Sequence, residues 1–432
     1  MHEDSSQIDK YLLGVTILAA LVFGGGTEAG LTTDMGIQLL AVATSTAVCI
    51  RRMNKPIDRR VFWFLVVAFV SLLLQVLPIS TEQIRATQGI LPREEIATIP
   101  APMTISLGLG RTIEVAGFFA TLSLFLVAVL KLRFDQLYGL IPFFLAGVVL
   151  NLTAGLIQYS YTDRAVVTDI FQYDLNAGFF VNVNHYSSLI FASIPIAFVY
   201  FIESNRLVML LLYITVALLI LLAAGSAAGV FIGFAITVLS IVILFQRQRT
   251  GILVALAGTV MLGIYTIGLW ARVQAETFDR EFGRSEFAQT TIRGILDNLP
   301  FGIGYGNFLI AYPSYERSEM IFSVYVNHAH NDYLELIFEG GIFAAALIGL
   351  FLVLLVWRFL ETIHLPLHKA ATLSILFILV HSIVDYPLRT LALAFTFTMF
   401  VGFLFHRGPE AIEKPKSKQS ASPREMAVED LG

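Results

Sequence analysis

A chain of 432 residues that is 56% hydrophobic and only 14% charged, with a mean hydropathy of +0.76, departs from soluble domains, in which roughly a quarter of residues are charged. Its formal net charge of −4 is small for this length and gives no global field that would draw nucleic acid or an acidic partner. The single cysteine, Cys49, lies in an apolar run, which excludes an intramolecular disulfide and any cysteine-based redox or metal motif.

Apolar runs of bilayer-spanning length, about 17 to 25 residues, recur from residue 11 to residue 406. They predict an all-α polytopic membrane protein. Outer-membrane β-barrel strands would read as alternating segments of about ten residues, so a barrel is excluded. The first run follows the acidic start "MHEDSSQIDK" and lacks a small-residue cleavage pattern, so it reads as a retained helix. Taken in chain order, helices are predicted at 11–23, 35–50, 61–78, 105–130, 137–157, 186–202, 207–224, 228–245, 251–270, 333–357, 370–385 and 388–406. Twelve spans leave both termini on one side.

Orientation follows from the short loops. "RRMNKPIDRR" (51–60), "KLRF" (131–134) and "QRQR" (246–249) alternate with loops 24–34 and 223–228, which hold no Lys or Arg. The basic set is therefore expected in the cytoplasm. The loop 271–332 carries five arginines, but long loops cross membranes regardless of charge, and parity places it outside with loops 79–104 and 158–184. Residues 1–407 read as one membrane domain. Residues 408–432, rich in Lys, Pro, Ser and Glu, read as a disordered cytoplasmic tail.

The external loop 271–332 is too long for a connector and too aromatic for a disordered segment. Ser285 to Leu296 fits a short amphipathic helix. In "PFGIGYGNF" (300–308), Gly302, Gly304 and Gly306 let backbone approach a ligand or another segment closely; a tight turn is the simpler reading. At "VNHAHNDYLELIFEGG" (326–341) the loop becomes a helix through His328, His330, Asn331, Asp332 and Glu335. An imidazole here could serve as a general base, or Asn331 and Asp332 could simply cap the helix. His328, His330 and Asp332 match no named zinc spacing, so no metal is expected. Arg280, Arg284, Arg293 and Arg317 offer bidentate recognition of phosphate. Arginines beside a histidine at a membrane surface suggest a lipid phosphate substrate.

These residues carry a family resemblance. His330-Asn331, followed nine residues later by Gly341, resembles the signature of the O-antigen ligase and Wzy-type polymerase superfamily of bacterial envelope glycan enzymes. The last element departs, with Ala344 where the pattern has Gly, Thr or Tyr. The stretch from Arg284 to Gly341 is similar to the periplasmic loop of the exopolysaccharide polymerase branch, while "GFFVNVNHYSSL" (178–189) and "HSIVDYPLRTLAL" (381–393) resemble further family segments. A second departure is Ala227 after Ser226, where the superfamily carries a phosphate-binding arginine.

The resemblance implies a GT-C-like bundle in the bacterial inner membrane with its active site facing the periplasm. It implies a glycosyltransferase, without metal or cofactor, that moves glycan from undecaprenyl diphosphate to a hydroxyl of another glycan or of lipid A core. His330 would be the base. Arg284, Arg293, Arg389 and Arg111 would bind the diphosphate, and His328, Asn331, Asp332, Asn184 and His185 would line the substrate cleft. Membrane lipids, a chain-length regulator and a flippase are the expected partners. The competing readings are a transporter or flippase without chemistry and an inactive paralogue. A transporter would place its polar site at the bilayer midplane, between matched broken helices that this chain does not show. Arg111 and Glu114, three apart in one span, read as either an ion pair or part of a substrate site.

Overall fold

The computed structural model describes residues 2–28, 30–78, 104–160, 171–244, 279–317 and 326–409. The expected span 251–270, nearly all of loop 79–104 and the tail from residue 410 lie outside the described residues. The described chain is all-helical. Its α-helices are α1 His2–Phe23, α2 Thr32–Arg51, α3 Arg59–Val76, α4 Leu109–Leu130, α5 Phe134–Ser160, α6 Val183–Glu203 and α7 Leu207–Ala224. They continue with α8 Ala227–Leu244, α9 Asp279–Asn298, α10 Phe308–Ala311, α11 Asp332–Thr362, α12 Pro366–His381 and α13 Leu391–Phe405. Eight of them, α2 to α8 and α11, are long and apolar enough to cross a membrane, and α12 and α13 are shorter apolar helices. Each predicted span other than 251–270 coincides with a helix. The predicted amphipathic segment 285–296 forms the middle of α9.

α6 is the central helix. It packs against α5, α7, α8 and α12, and it is buried on all sides from His185 to Val199. Small polar residues allow this close approach and then bond across the contacts. Ser188 Oγ meets His381 Nδ1 at 2.6 Å, Ser193 Oγ meets the Tyr213 hydroxyl, and Ser374 Oγ donates to Ala192 O at 2.6 Å. Ser226 Oγ accepts from Gly229 N at 3.0 Å and so caps α8, with Gly225 at φ 89 completing the turn from α7.

At one end of the bundle the basic loops meet. Asp9 is buried between Arg51 and Arg52 at 2.7 and 2.5 Å, Lys131 Nζ donates to Lys55 O at 2.7 Å, and His406 Nε2 lies 3.0 Å from Leu132 O. The basic segments 51–60 and 131–134 therefore share one end, as their charge pattern predicts.

At the other end, α11 breaks. Gly341 has φ 59 and ψ −144 inside an otherwise helical stretch, which frees the carbonyls of the preceding turn and the amide that follows. The glycine-rich turn 300–306 satisfies them: Ile303 N donates to Phe338 O (3.1 Å), Gly304 N to Glu339 O (2.9 Å), and Ile342 N to Pro300 O (2.9 Å). Gln75 of α3 closes the joint, donating to Glu339 O at 3.1 Å and accepting from Tyr305 N at 2.8 Å. The close approach expected of Gly302, Gly304 and Gly306 is thus made to another segment of this chain. A side chain at Gly341 would place its Cβ 2.1 Å from Pro300 O. We expect Gly341→Val to cost about 3 kcal/mol or more through backbone strain and overpacking, read as a drop in thermal unfolding temperature in detergent.

Candidate active site

Four segments converge at the Gly341 end: the approach to α11, the turn after α12, the start of α6, and α9. Asn331 caps α11 by accepting from Leu334 N at 2.9 Å. It also donates to Ile383 O at 2.8 Å, tying the helix start to the turn after α12. Asp332 reinforces the tie: its N donates to Ser382 O (3.0 Å), and its carboxylate accepts from Ser382 Oγ (2.8 Å) and Leu388 N (3.3 Å). The capping reading of Asn331 thus describes its geometry, and the cap is joined to a second element.

α12 and α13 have 16 and 15 residues, so each is about 22 to 24 Å long, short of a hydrocarbon core of roughly 30 Å. The polar turn between them is seated inside the protein, where Ser382, Asp385 and Thr390 are fully buried. Pro387 starts a 3-10 turn, Pro387–Arg389, which separates α12 from α13 as the predicted spans 370–385 and 388–406 require.

Asp385 is the hub. Asn184 Nδ2 donates to Oδ2 at 2.5 Å, and the carboxylate also accepts from Tyr386 N at 2.9 Å. Three cationic or cationisable groups face it: His330 Nδ1 at 3.4 Å, His185 Nε2 at 3.7 Å and Arg284 Nη2 at 3.9 Å. Burial alone would raise the Asp385 pKa, but His185 and His330 hold it well below the usual carboxylate range. Asp385 is therefore an anion at neutral pH.

His330 is about one quarter exposed and has φ 51, a left-handed conformation uncommon for a non-glycine residue. It precedes the cap residue Asn331, so this backbone turn places its ring between Phe287 of α9, stacked at 5.7 Å, and Tyr386, edge-on at 5.0 Å. Nδ1 faces Asp385 without hydrogen-bond alignment, and Nε2 carries no hydrogen bond among the described residues. A histidine that faces a buried carboxylate on one side, with its second nitrogen unengaged, has the layout of a general base. Tyr386 lies among three histidines, with His328 at 4.2 Å and His185 at 4.7 Å, and its hydroxyl accepts from Asn327 Nδ2 at 3.2 Å. Burial pushes that hydroxyl up to about 12, so it stays neutral.

The other expected site residues divide. His185 is fully buried, with Nδ1 against Thr390 Oγ1 at 2.5 Å, and Asn184 is spent on Asp385, so both support the hub. His328 Nδ1 pairs with Glu335 at 2.7 Å. Arg389 is enclosed by three carboxylates on one face of α11: Glu339 at 3.0 Å, Glu335 at 3.5 Å and Asp332 at 3.9 Å. Arg293 donates to Thr290 (2.7 Å), Glu286 (3.4 Å) and Tyr315 O (3.3 Å), which fixes it to α9 and the turn after α10. Arg111 lies on α4 beside Gly306, and among the described residues no ion pair joins it to Glu114 or to the His330 group. Arg284, by contrast, is 41% exposed and approaches the site with one distant carboxylate partner.

Sequence reasoning missed Asp385, Tyr386 and Phe287 as site residues. Asp385 left one signal, its spacing of four from both His381 and Arg389 in "HSIVDYPLR".

Comparison with known proteins completes the picture. No curated protein matches the chain. The O-antigen ligase family model matches residues 210–349, from within α7 to just past the Gly341 break in α11. That stretch contains Arg284, Arg293, His328, His330 and the glycine turn, whereas Asn184, His185, Asp385 and Arg389 come to the site from outside it. The resemblance read from His330, Asn331 and Gly341 is borne out over that stretch: residues 210–349 of this polytopic membrane protein match the O-antigen ligase family model.

Proposed function

We propose that the protein is an inner-membrane glycosyltransferase that moves or polymerises glycan from undecaprenyl diphosphate on the periplasmic side, with His330 as its base. The observation that carries this reading is the His330–Asp385 pair, with Arg284 converging on the same carboxylate: His330 and Arg284 lie inside the segment that matches the O-antigen ligase family, and Asp385 joins them from outside it. His330 Nε2 takes the proton of the acceptor hydroxyl as its oxygen attacks the anomeric carbon. The bond from that carbon to the diphosphate breaks, and the electron pair leaves with the diphosphate. Asp385, 3.4 Å from Nδ1, stabilises the imidazolium that forms. Arg284 neutralises charge on the departing diphosphate, an electrostatic task that a divalent ion performs in other transferases.

Arg284 is the preferred diphosphate ligand because its side chain is partly exposed and meets one carboxylate only at 3.9 Å, while Arg389 and Arg293 are engaged by carboxylates and carbonyls. Asn184, His185, Asn331 and Asp332 then act by holding Asp385 and its turn in place. The acceptor is a growing glycan or lipid A core.

The test is transfer by the purified full chain in detergent, from undecaprenyl diphosphate oligosaccharide, with lipid A core and free oligosaccharide as acceptors. Longer lipid-linked chains identify a polymerase, and glycan on lipid A core identifies a ligase. Absence of both longer chains and glycosylated acceptor would overturn the reading and favour transport without chemistry. For Arg284→Ala, donor affinity is expected to fall about tenfold or more through loss of charge-assisted hydrogen bonds, measured as donor KM. An unchanged KM would remove Arg284 from the donor site.

A further inference from the structure

A cavity of about 220 Å³ lies between α3, α4, α11 and α13, with Phe64, Phe119, Leu126, Phe351, Leu388 and Phe397 among its mainly apolar walls. The glycan reaction does not use it. At the end of the bundle away from His330, a polar cleft is lined by Asp58, Arg59, Arg60, Trp63, Glu361 and Arg407. The two adjoin on three of the four framing helices. Arg60 lies one turn from Phe64 on α3, Glu361 lies two turns beyond Leu354 on α11, and Arg407 follows Phe405 by two residues at the end of α13. From Glu339 to Glu361 the path along α11 is ~33 Å, close to the thickness of a hydrocarbon core. The cleft thus falls at one membrane surface when the His330 site stands at the other.

The charges of the cleft are unevenly used. Arg60 stacks over Trp357, 3.1 Å from the ring centroid, and lies 3.7 Å from Glu361, while Asp58 accepts from the Arg60 backbone N at 2.8 Å. Glu361 also receives Arg358 at 3.1 Å. Arg59 and Arg407 are exposed and have no carboxylate within ion-pair distance among the described residues; Arg407 reaches only Ile57 O, at 3.5 Å. Trp63 is exposed beside them, an amphipathic ring of the kind that settles at headgroup level. The apolar walls of the cavity would make dispersion contacts with an alkyl chain along its length. Two unpaired guanidiniums at its end suit a phosphate.

We propose that cavity and cleft form one binding site for an anionic glycerophospholipid, with an acyl chain between α3, α4, α11 and α13 and the phosphate between Arg59 and Arg407. The complementarity is both apolar and ionic: three arginines and two carboxylates line the cleft, with Glu361 paired to Arg60 and Arg358 and Asp58 capping α3 through the Arg60 backbone N. None of His330, Asp385 and Arg284 lines the site; among the wall residues Leu388 reaches the candidate active site, through its backbone N and Asp332.

Native mass spectrometry of the full-length protein released from detergent tests it. The probes are phosphatidylglycerol, phosphatidylcholine of the same acyl chains, and undecaprenyl phosphate. Phosphatidylglycerol is expected to be retained as a single bound lipid and to outcompete phosphatidylcholine. The Arg59→Gln/Arg407→Gln double variant should lose about thirtyfold in phosphatidylglycerol affinity, approaching the phosphatidylcholine value. Ser123→Phe, which fills the cavity from α4, should weaken both phospholipids and leave their ratio unchanged. Equal affinity for the two phospholipids, or an unchanged phosphatidylglycerol affinity in the double variant, overturns the proposal. Undecaprenyl phosphate binding more tightly than phosphatidylglycerol also overturns it, giving the cavity to an isoprenoid chain.

Discussion

Replacing His330 by asparagine should slow glycan transfer by about 10²–10⁴-fold, the contribution of a positioned base, with donor KM unchanged. Asparagine is the better probe than alanine because it tolerates the left-handed backbone that His330 adopts at φ 51. A variant that folds and transfers at the wild-type rate would end the base assignment. Asp385→Asn separates positioning from contact. It should lower kcat with little change in donor KM, because Asp385 is buried beneath the imidazole rather than open to substrate. Its pH signature has a definite sign. The Asp385 pKa is lowered in the folded protein, so the stability it contributes is present above the ordinary carboxylate pKa of about 4 and is lost as pH falls through the lower folded value. Thermal unfolding of the wild type and Asp385→Asn should therefore differ at neutral pH and converge only in strong acid. A gap that closes near pH 6 would point to a histidine as the group responsible.

The second large effect is structural. Arg389→Gln removes the cation facing Asp332, Glu335 and Glu339 and leaves buried carboxylates without it, a loss of about 3–5 kcal/mol. It should show as a large fall in unfolding temperature or a failure to recover folded protein. Arg389→Lys keeps the charge but not the planar fork that reaches three acceptors, so it should lie between the two. An Arg389→Gln protein of wild-type stability whose donor KM has risen would give Arg389 back the diphosphate role that the sequence suggested. The enclosure of Arg389 by α11 carboxylates argues for the first result.

Much of the fold was legible because a bilayer imposes a local rule: a spanning segment must satisfy its own backbone hydrogen bonds and must be continuously apolar. The runs at 207–224 and 228–245, for example, appear as α7 and α8 within a residue at either end. The break at Pro387 was legible for an equally local reason, since proline lacks an amide and fixes φ. His330, Asn331 and Gly341 stood out as a motif, yet their roles did not. Nothing local says that Gly341 exists so that the 300–306 turn can dock its backbone on a broken helix.

The sequence by itself determined the class of the molecule, the positions of the helices among the described residues, the shared end of the basic loops 51–60 and 131–134, and the segment in which the candidate site residues His330 and Arg284 lie. Those properties are written in composition and in spacing along one element. Only the tertiary structure decided how the titratable residues divide. Asp385 meets His330 across 55 residues, Arg389 is absorbed by three carboxylates of α11, and Arg284 is left exposed. Pairing of charges depends on distance and burial, and in a helical bundle both are set by which helices pack together.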